Sequence, residues 1–88
     1  MNYNAVKYAF RYRPFNQWVS PDLEYNEELE RCERFLDFNN ELADCALYSS
    51  SGILKEDLSY CLQQNKELDQ DLNNYQLVEV NIEANYDP

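Results

Sequence analysis

Carboxylates are the side chains of this sequence with the clearest potential for a chemical role, because many of them recur at a regular spacing. Six such residues between positions 21 and 48 fall at intervals that fit one face of an α-helix: Glu24, Glu27, Glu30, Asp37, Glu41 and Asp44. On a helix rising ~1.5 Å per residue they would form a line of roughly 30 Å. The spacing between neighbouring carboxylates would be on the order of the spacing between charges along a nucleic-acid strand, ~3.4 Å. The spacing therefore predicts a surface that can occupy a protein groove built for phosphates.

Little positive charge compensates these carboxylates. Glu33, Asp37 and Glu41 follow one another at intervals of four residues, a spacing at which like charges destabilise a helix. A sequence shaped by solubility alone would place more Lys among them, so a cationic protein partner is favoured. The alternative interpretation is a solvated face that serves only to keep the protein in solution.

Composition excludes several classes of function. The chain has no His, which removes every mechanism built on imidazole and every His-ligated zinc site. Its 7 basic and 17 acidic residues give a formal net charge of −10, which argues against direct binding of nucleic acid. No catalytic motif is present, and we expect neither enzyme activity, nor a bound metal, nor a cofactor.

The cysteines and the termini bear on the compartment. Cys32, Cys45 and Cys61 are odd in number and form no CxxC pair, which predicts three reduced, buried thiols in a cytoplasmic protein. No signal peptide and no apolar stretch of the roughly 18 residues needed for a membrane span is visible. We therefore expect no membrane contact.

The two ends of the chain read as β-strands. Apolar and polar residues alternate over positions 6–13 and again over 77–84, the period of a half-buried strand. The first segment is basic: residues 1–20 carry three cations and no acid, whereas residues 21–88 carry 4 cations and 17 acids, 4 − 17 = −13.

The segment between these ends reads as a pair of helices. Ser20-Pro21-Asp22 has the composition of a helix start, and a 4-3 apolar spacing follows it to about residue 48. After the turn at residues 49–52 the same spacing continues to Tyr75. The prediction is an α+β fold, a small β-α-α-β domain in which an antiparallel helical hairpin joins two terminal strands that pair in a small antiparallel sheet. It treats residues 1–88 as a single domain: a basic strand and loop (1–20), an acidic helical hairpin (21–75), and a C-terminal strand and tail (76–88).

Two weaker resemblances and one pair of aromatic residues complete the candidates. The order of a basic strand and two helices resembles the ribbon-helix-helix repressors, although the acidic helices would repel DNA phosphates. Asp69-Gln70-Asp71 resembles the start of an EF-hand calcium loop, but Asn74 stands where that loop needs Gly. Phe15 and Trp18, near Pro14, are candidate anchors at a protein interface, with burial in the core as the alternative.

These observations favour a small acidic inhibitor, encoded by a phage or mobile element and acting in the host cytoplasm. In size and charge it looks like the anti-CRISPR and anti-restriction proteins that bind a host nucleic-acid-binding protein in its basic groove. The partner surface would comprise the six carboxylates with Phe15 and Trp18. The alternative is a structural adaptor that acts as a homodimer, in which the terminal strands complete the sheet.

Overall fold

Most of the described chain forms an antiparallel β-sheet with a single α-helix packed against it. The computed structural model describes the backbone of residues 2–85 and the side chains of residues 5–83. Its elements in chain order are β1 (Asn2–Tyr12), β2 (Gln17–Asn26), β3 (Arg31–Asn39), α1 (Ser51–Gln64) and β4 (Tyr75–Asn85). Short 3₁₀ turns lie at Leu42–Asp44 and Leu72–Asn74.

The four strands have the order β3-β2-β1-β4, and the sheet divides into two ribbons. β1 pairs with β4 along its whole length, from Asn2 opposite Asn85 to Tyr12 opposite Tyr75. β2 pairs in the same continuous way with β3. Between the ribbons, however, β1 and β2 share only three residue pairs beside their connecting turn. Beyond these pairs the two ribbons separate.

The chain after β3 enters the gap between the ribbons. Tyr48 forms an isolated antiparallel bridge with Tyr8 of β1, with backbone N···O distances of 2.7 and 3.0 Å. Cys45 is buried, and its thiol lies beside the Ser20 hydroxyl of β2. This connection therefore supplies β1 with a backbone partner where β2 has diverged from it.

Helix α1 covers one face of the sheet and forms the core with it. Ser50 caps the helix, since its hydroxyl oxygen accepts a hydrogen bond from the Ile53 amide at 3.3 Å. The buried residues of α1 recur at helical spacing and face the sheet: Leu54, Leu58, Cys61 and Leu62. They pack against the buried strand residues Phe10, Tyr12, Val19, Leu36 and Tyr75. The register places these five strand residues on one face of the sheet, which we call the helix face.

The prediction of a helical hairpin with two terminal strands is wrong. Residues 17–39, read largely as the first helix, form the β2–β3 hairpin instead. Pro21, read as the first helical residue, lies within β2 opposite Leu36. This position tolerates proline because β2 has already left β1 and has only β3 as a partner there.

The second predicted helix exists but is shorter than expected. It ends at Gln64, and the chain then returns through a loop to β4, with Tyr75 as the first strand residue. The period-two segments at the two chain ends are indeed paired strands, and both are longer than the alternation indicated. The predicted tail beyond residue 85 lies outside the described residues. With one helix rather than two, the ribbon-helix-helix order is absent from residues 2–85.

Candidate protein-interaction surface

The most charged part of the fold is the free portion of the β2–β3 ribbon, residues 20–37, which we call the acidic arm. It carries seven carboxylates and two arginines, 2 − 7 = −5. Because β1 pairs with β2 only through Gln17–Val19, the arm extends beyond the centre of the sheet. The radius of gyration of 15.0 Å exceeds the ~12 Å of a compact chain of this length. The molecule is therefore elongated, with principal extents of 50, 30 and 23 Å.

The turn of the acidic arm is built without glycine. The Asn26 side-chain oxygen accepts hydrogen bonds from the amides of Glu28 and Leu29, at 3.0 and 3.2 Å, and so folds the chain back. Glu30 closes the turn in the left-handed region, with φ of 52°. These contacts let three glutamates, at positions 27, 28 and 30, crowd into a four-residue turn.

One face of the arm is acidic and lies opposite to the helix face. Residues directly opposite in an antiparallel pair share a face, so Glu24 and Glu33 project side by side. The next pairs on this face toward the sheet centre are Asp22 with Phe35 and Ser20 with Asp37. Neighbouring strands lie about 4.8 Å apart, which places like charges close together.

Ion pairing relieves little of this repulsion. Among the side chains that the structure describes, one salt bridge is found, between Arg31 and Glu33 at 3.4 Å. It is exposed, with 68% of the Arg31 side chain and 42% of the Glu33 side chain accessible, and such pairs contribute little to stability. The side-chain amide of Asn26 also donates a hydrogen bond to the Glu33 carboxylate, at 3.4 Å. Glu24 therefore faces a carboxylate that is only partly compensated.

The other face of the arm is mostly apolar, and its outer part is exposed to solvent. Leu23 and Tyr25 project there, and their exposed fractions are 53% and 58%. Leu29, in the turn, is 52% exposed. The guanidinium of Arg34 lies 5.1 Å from the centre of the Tyr60 ring of α1, a cation–π contact that fixes the base of this face. An apolar centre with a polar rim is the arrangement found in protein interfaces.

The structure brings together some of the predicted partner-binding residues and separates others. Glu24 and Asp37 share the acidic face, and Glu27 and Glu30 lie in the turn of the arm. Glu41 and Asp44 follow β3 in the connection that leads to Tyr48. The six carboxylates therefore do not form the predicted line along one helix.

Sequence reasoning did not include Asp22 and Glu33 in the predicted surface. The alternation of Val19, Pro21, Leu23 and Tyr25 with polar residues is the period of a strand, and it would have grouped Asp22 with Glu24.

The two predicted aromatic anchors lie at the far end of β2 from the turn of the arm. Phe15 is 62% exposed but packs edge-on against Tyr12, with ring centres 5.0 Å apart. Trp18 is half-buried beneath the Arg11 guanidinium, 4.8 Å from its ring centre. Both belong to the basic end of the sheet, so they do not join the acidic arm in one surface.

The basic residues of the first strand are held by neutral partners. Lys7 donates to the Ser49 hydroxyl at 2.7 Å, and Arg11 donates to the Asn16 side chain at 2.9 Å. Arg11 lies opposite Trp18 of β2, whereas Lys7 lies where β2 has diverged from β1.

The segment that resembles a calcium loop serves as a structural link. The Asp69 carboxylate accepts hydrogen bonds from the Asp71 amide at 3.0 Å and from the hydroxyl of Tyr12 at 2.7 Å. These bonds lower the pKa of Asp69, and the bond to the carboxylate raises the pKa of Tyr12. Among the residues that the structure describes, no three His, Cys, Asp or Glu side chains are arranged to hold a metal ion.

The thiols differ in their environments. Cys32 is exposed on the arm opposite Tyr25, contrary to the expectation of three buried thiols, whereas Cys45 and Cys61 are buried. Burial raises the pKa of both buried thiols.

Comparison with protein-family models, curated proteins and solved structures gives no match for this chain. Within the described range, no helix has the length and apolarity required to cross a membrane. The geometry of the surface is thus the basis for a functional proposal, and it defines an acidic, two-stranded arm.

Proposed function

We propose that the protein is a non-enzymatic inhibitor that inserts its acidic arm into the basic groove of a nucleic-acid-binding protein and competes there with the phosphates. The observation that carries this proposal is the direct pairing of Glu24 with Glu33 on an arm of net charge −5. A cationic groove would neutralise this charge and relieve the repulsion. Binding would therefore recover the free energy that the repulsion costs the fold.

The arm also supports a particular mode of docking. A two-stranded β-ribbon is narrow enough to enter the major groove of DNA, and a protein groove that admits a nucleic-acid strand admits a ribbon of similar width. The exposed Leu23 and Tyr25 would supply apolar contacts beside the charges. We propose action in the host cytoplasm, which the free thiols support, and an origin in a phage or mobile element, as for anti-CRISPR or anti-restriction inhibitors.

The test compares two variants with the same change in charge. Glu24→Gln with Glu27→Gln removes two carboxylates from the arm, and Glu56→Gln with Glu67→Gln removes two from the helix and the following loop. Each is used with the unaltered protein to capture partners from host lysate, and association with the recovered partner is then timed. We expect the arm variant to associate on the order of 10-fold more slowly and the control to match the unaltered protein.

The dependence of affinity on salt provides a second test. Raising the ionic strength from ~0.15 M to ~1 M shortens the Debye length from ~8 Å to ~3 Å, so affinity should fall steeply. If the affinity does not change with ionic strength, or if the two variants bind equally, the proposal is refuted. Either result would favour an adaptor whose acidic residues serve only solubility.

A further inference from the structure

The outer edge of β4 offers a second interaction surface, remote from the acidic arm. β4 is the last strand of the sheet, and among residues 2–85 no strand pairs with its outer side. Its 11 residues make it long for an edge strand, since strands average about 5–6 residues. An open edge of this length is a ready template for another strand.

The bridge between Tyr8 and Tyr48 shows which backbone groups of β4 are free. Tyr8 directs its N–H and C=O toward Tyr48, on the side away from β4. Because backbone groups alternate along a strand, Lys7 directs its own toward Val80, its partner in β4. The outward backbone groups of β4 therefore belong to the alternate residues, namely Leu77, Glu79, Asn81 and Glu83.

The sequence of β4 is self-complementary in one register. Val80 is the midpoint of Tyr75–Asn85, so a two-fold axis through it pairs the whole strand with a second copy. Glu79 then lies opposite Asn81 of the second copy, and both have outward backbone groups that complete the ladder. Val80 lies opposite its own copy in the narrow, non-hydrogen-bonded type of pair, where side chains approach most closely.

Neighbouring registers are less favourable. Sliding one copy of β4 past the other by a single residue would place outward-pointing backbone groups opposite inward-pointing ones. The hydrogen bonds between the two strands would then be lost. Sliding by two residues moves the two-fold axis by one residue, onto Glu79 or onto Asn81. With the axis at Glu79, this residue lies opposite Glu79 of the second copy. With the axis at Asn81, Glu79 lies opposite Glu83 of the second copy. Like charges directly opposite are destabilising. Larger shifts shorten the paired segment.

The apolar side chains of β4 agree with the centred register. Val78, Val80 and Ile82 project from the face opposite to the helix face and are only half-buried. With the axis at Val80, Val78 lies opposite Ile82 of the second copy. The two half-buried stripes become one continuous stripe across the interface.

We propose that two copies of the protein pair through β4 about an axis at Val80, and so form a continuous eight-stranded antiparallel sheet. This dimer does not depend on the function proposed for the acidic arm, which lies at the other edge of the sheet. Glu79 and Glu83 become diagonal neighbours of the same residues in the second copy, so screening by salt strengthens the dimer.

The first test is the mass in solution, measured by sedimentation or light scattering over a series of concentrations. We expect a mass of 2 × 10.5 = 21 kDa, with the fraction of dimer rising with salt. A mass of 10.5 kDa at every concentration up to the millimolar range would overturn the proposal.

The second test fixes the register by cross-linking in a Cys32→Ser background, which leaves only buried native thiols. Val80→Cys and Glu79→Cys are compared, with oxidised glutathione as the oxidant. We expect a disulfide-linked dimer from Val80→Cys and little from Glu79→Cys, since only the former places the thiol opposite itself. The reverse order, or equal yields, would overturn this register.

A charge variant tests the interface without an oxidant. Val80→Glu places a carboxylate opposite Lys7 within the chain, where it is tolerated, but opposite its own copy in the dimer. We expect the dissociation constant of the dimer to rise on the order of 10-fold, while the circular dichroism spectrum of the folded protein is retained. A folded variant that dimerises as tightly as the unaltered protein would contradict the proposal.

Discussion

Glu24→Lys should stabilise the fold while weakening the proposed binding, because Glu24 lies directly opposite Glu33. The substitution removes a like-charge pair and creates an opposite-charge pair at the same site. Cross-strand pairs of this kind contribute about 0.2–1 kcal/mol each. Since 42% of the Glu33 side chain is exposed to solvent, which screens the interaction, we expect a net gain of about 0.5–1 kcal/mol.

The gain is large enough to measure. For a domain of 60–100 residues, 1 kcal/mol corresponds to about 4–8 °C in melting temperature, so we expect a rise of about 2–8 °C. Glu28→Lys is the matched control, since it also changes the net charge from −10 to −8 but alters a turn residue that has no residue opposite it. Melting curves of both variants at low and high salt separate the pair interaction from the change in net charge.

The outcomes distinguish the role of the pair. If Glu24→Lys and Glu28→Lys melt at the same temperature at low salt, the cross-strand repulsion has no measurable effect and the reasoning is refuted. If Glu24→Lys is more stable and still binds the partner as tightly as the unaltered protein, the pair is a structural feature only. Higher stability with slower association is the combination expected of a surface whose charge serves a partner.

Three further predictions concern the rest of the fold. Tyr12→Phe removes the hydrogen bond to Asp69 and should lower the urea midpoint of unfolding. The pKa of Asp69 is lower in the folded protein than its usual 3.8, so its contribution is present above that value and is lost as pH falls further; acid unfolding curves of Asp69→Asn should show less of this loss. Ser50→Ala removes the helix cap and should cost about 0.5–2 kcal/mol in urea unfolding, with Ser50→Asp restoring most of it. A thiol reagent should label Cys32 alone in the native protein and all three cysteines after unfolding, and native labelling of all three would contradict the burial of the others.

The parts of the fold that the sequence predicts are those where one periodicity has no competitor. Alternation at the two chain ends predicts paired strands, and the 4-3 spacing places Leu54, Leu58 and Cys61 on the buried face of a helix. The same spacing continues through Leu68 and hides the end of that helix at Gln64.

The sequence wrongly predicts a helix for the acidic arm because two periodicities overlap in it. Tyr25, Leu29 and Cys32 fit a helical seam, and glutamate and arginine are good helix formers. The turn gives no glycine signal, since Asn26 folds the chain with its side chain and Glu30 adopts positive φ without being glycine. Tertiary pairing with the aromatic and apolar residues of β3 then decides in favour of strands, which no local window of sequence reveals.

The division of the sheet into two ribbons separates the two proposed surfaces on one small chain. The strand order β3-β2-β1-β4 places the acidic arm at one edge and the open edge of β4 at the other. In the proposed dimer the two arms therefore lie at the outer ends of an eight-stranded sheet, where neither is covered. A partner with two basic grooves would engage both arms, and the second contact would benefit from the effective concentration set by the rigid sheet. Val80→Glu should then weaken binding to such a two-site partner while leaving affinity for a single groove unchanged, and equal losses for both would show that the edge and the arm are not independent.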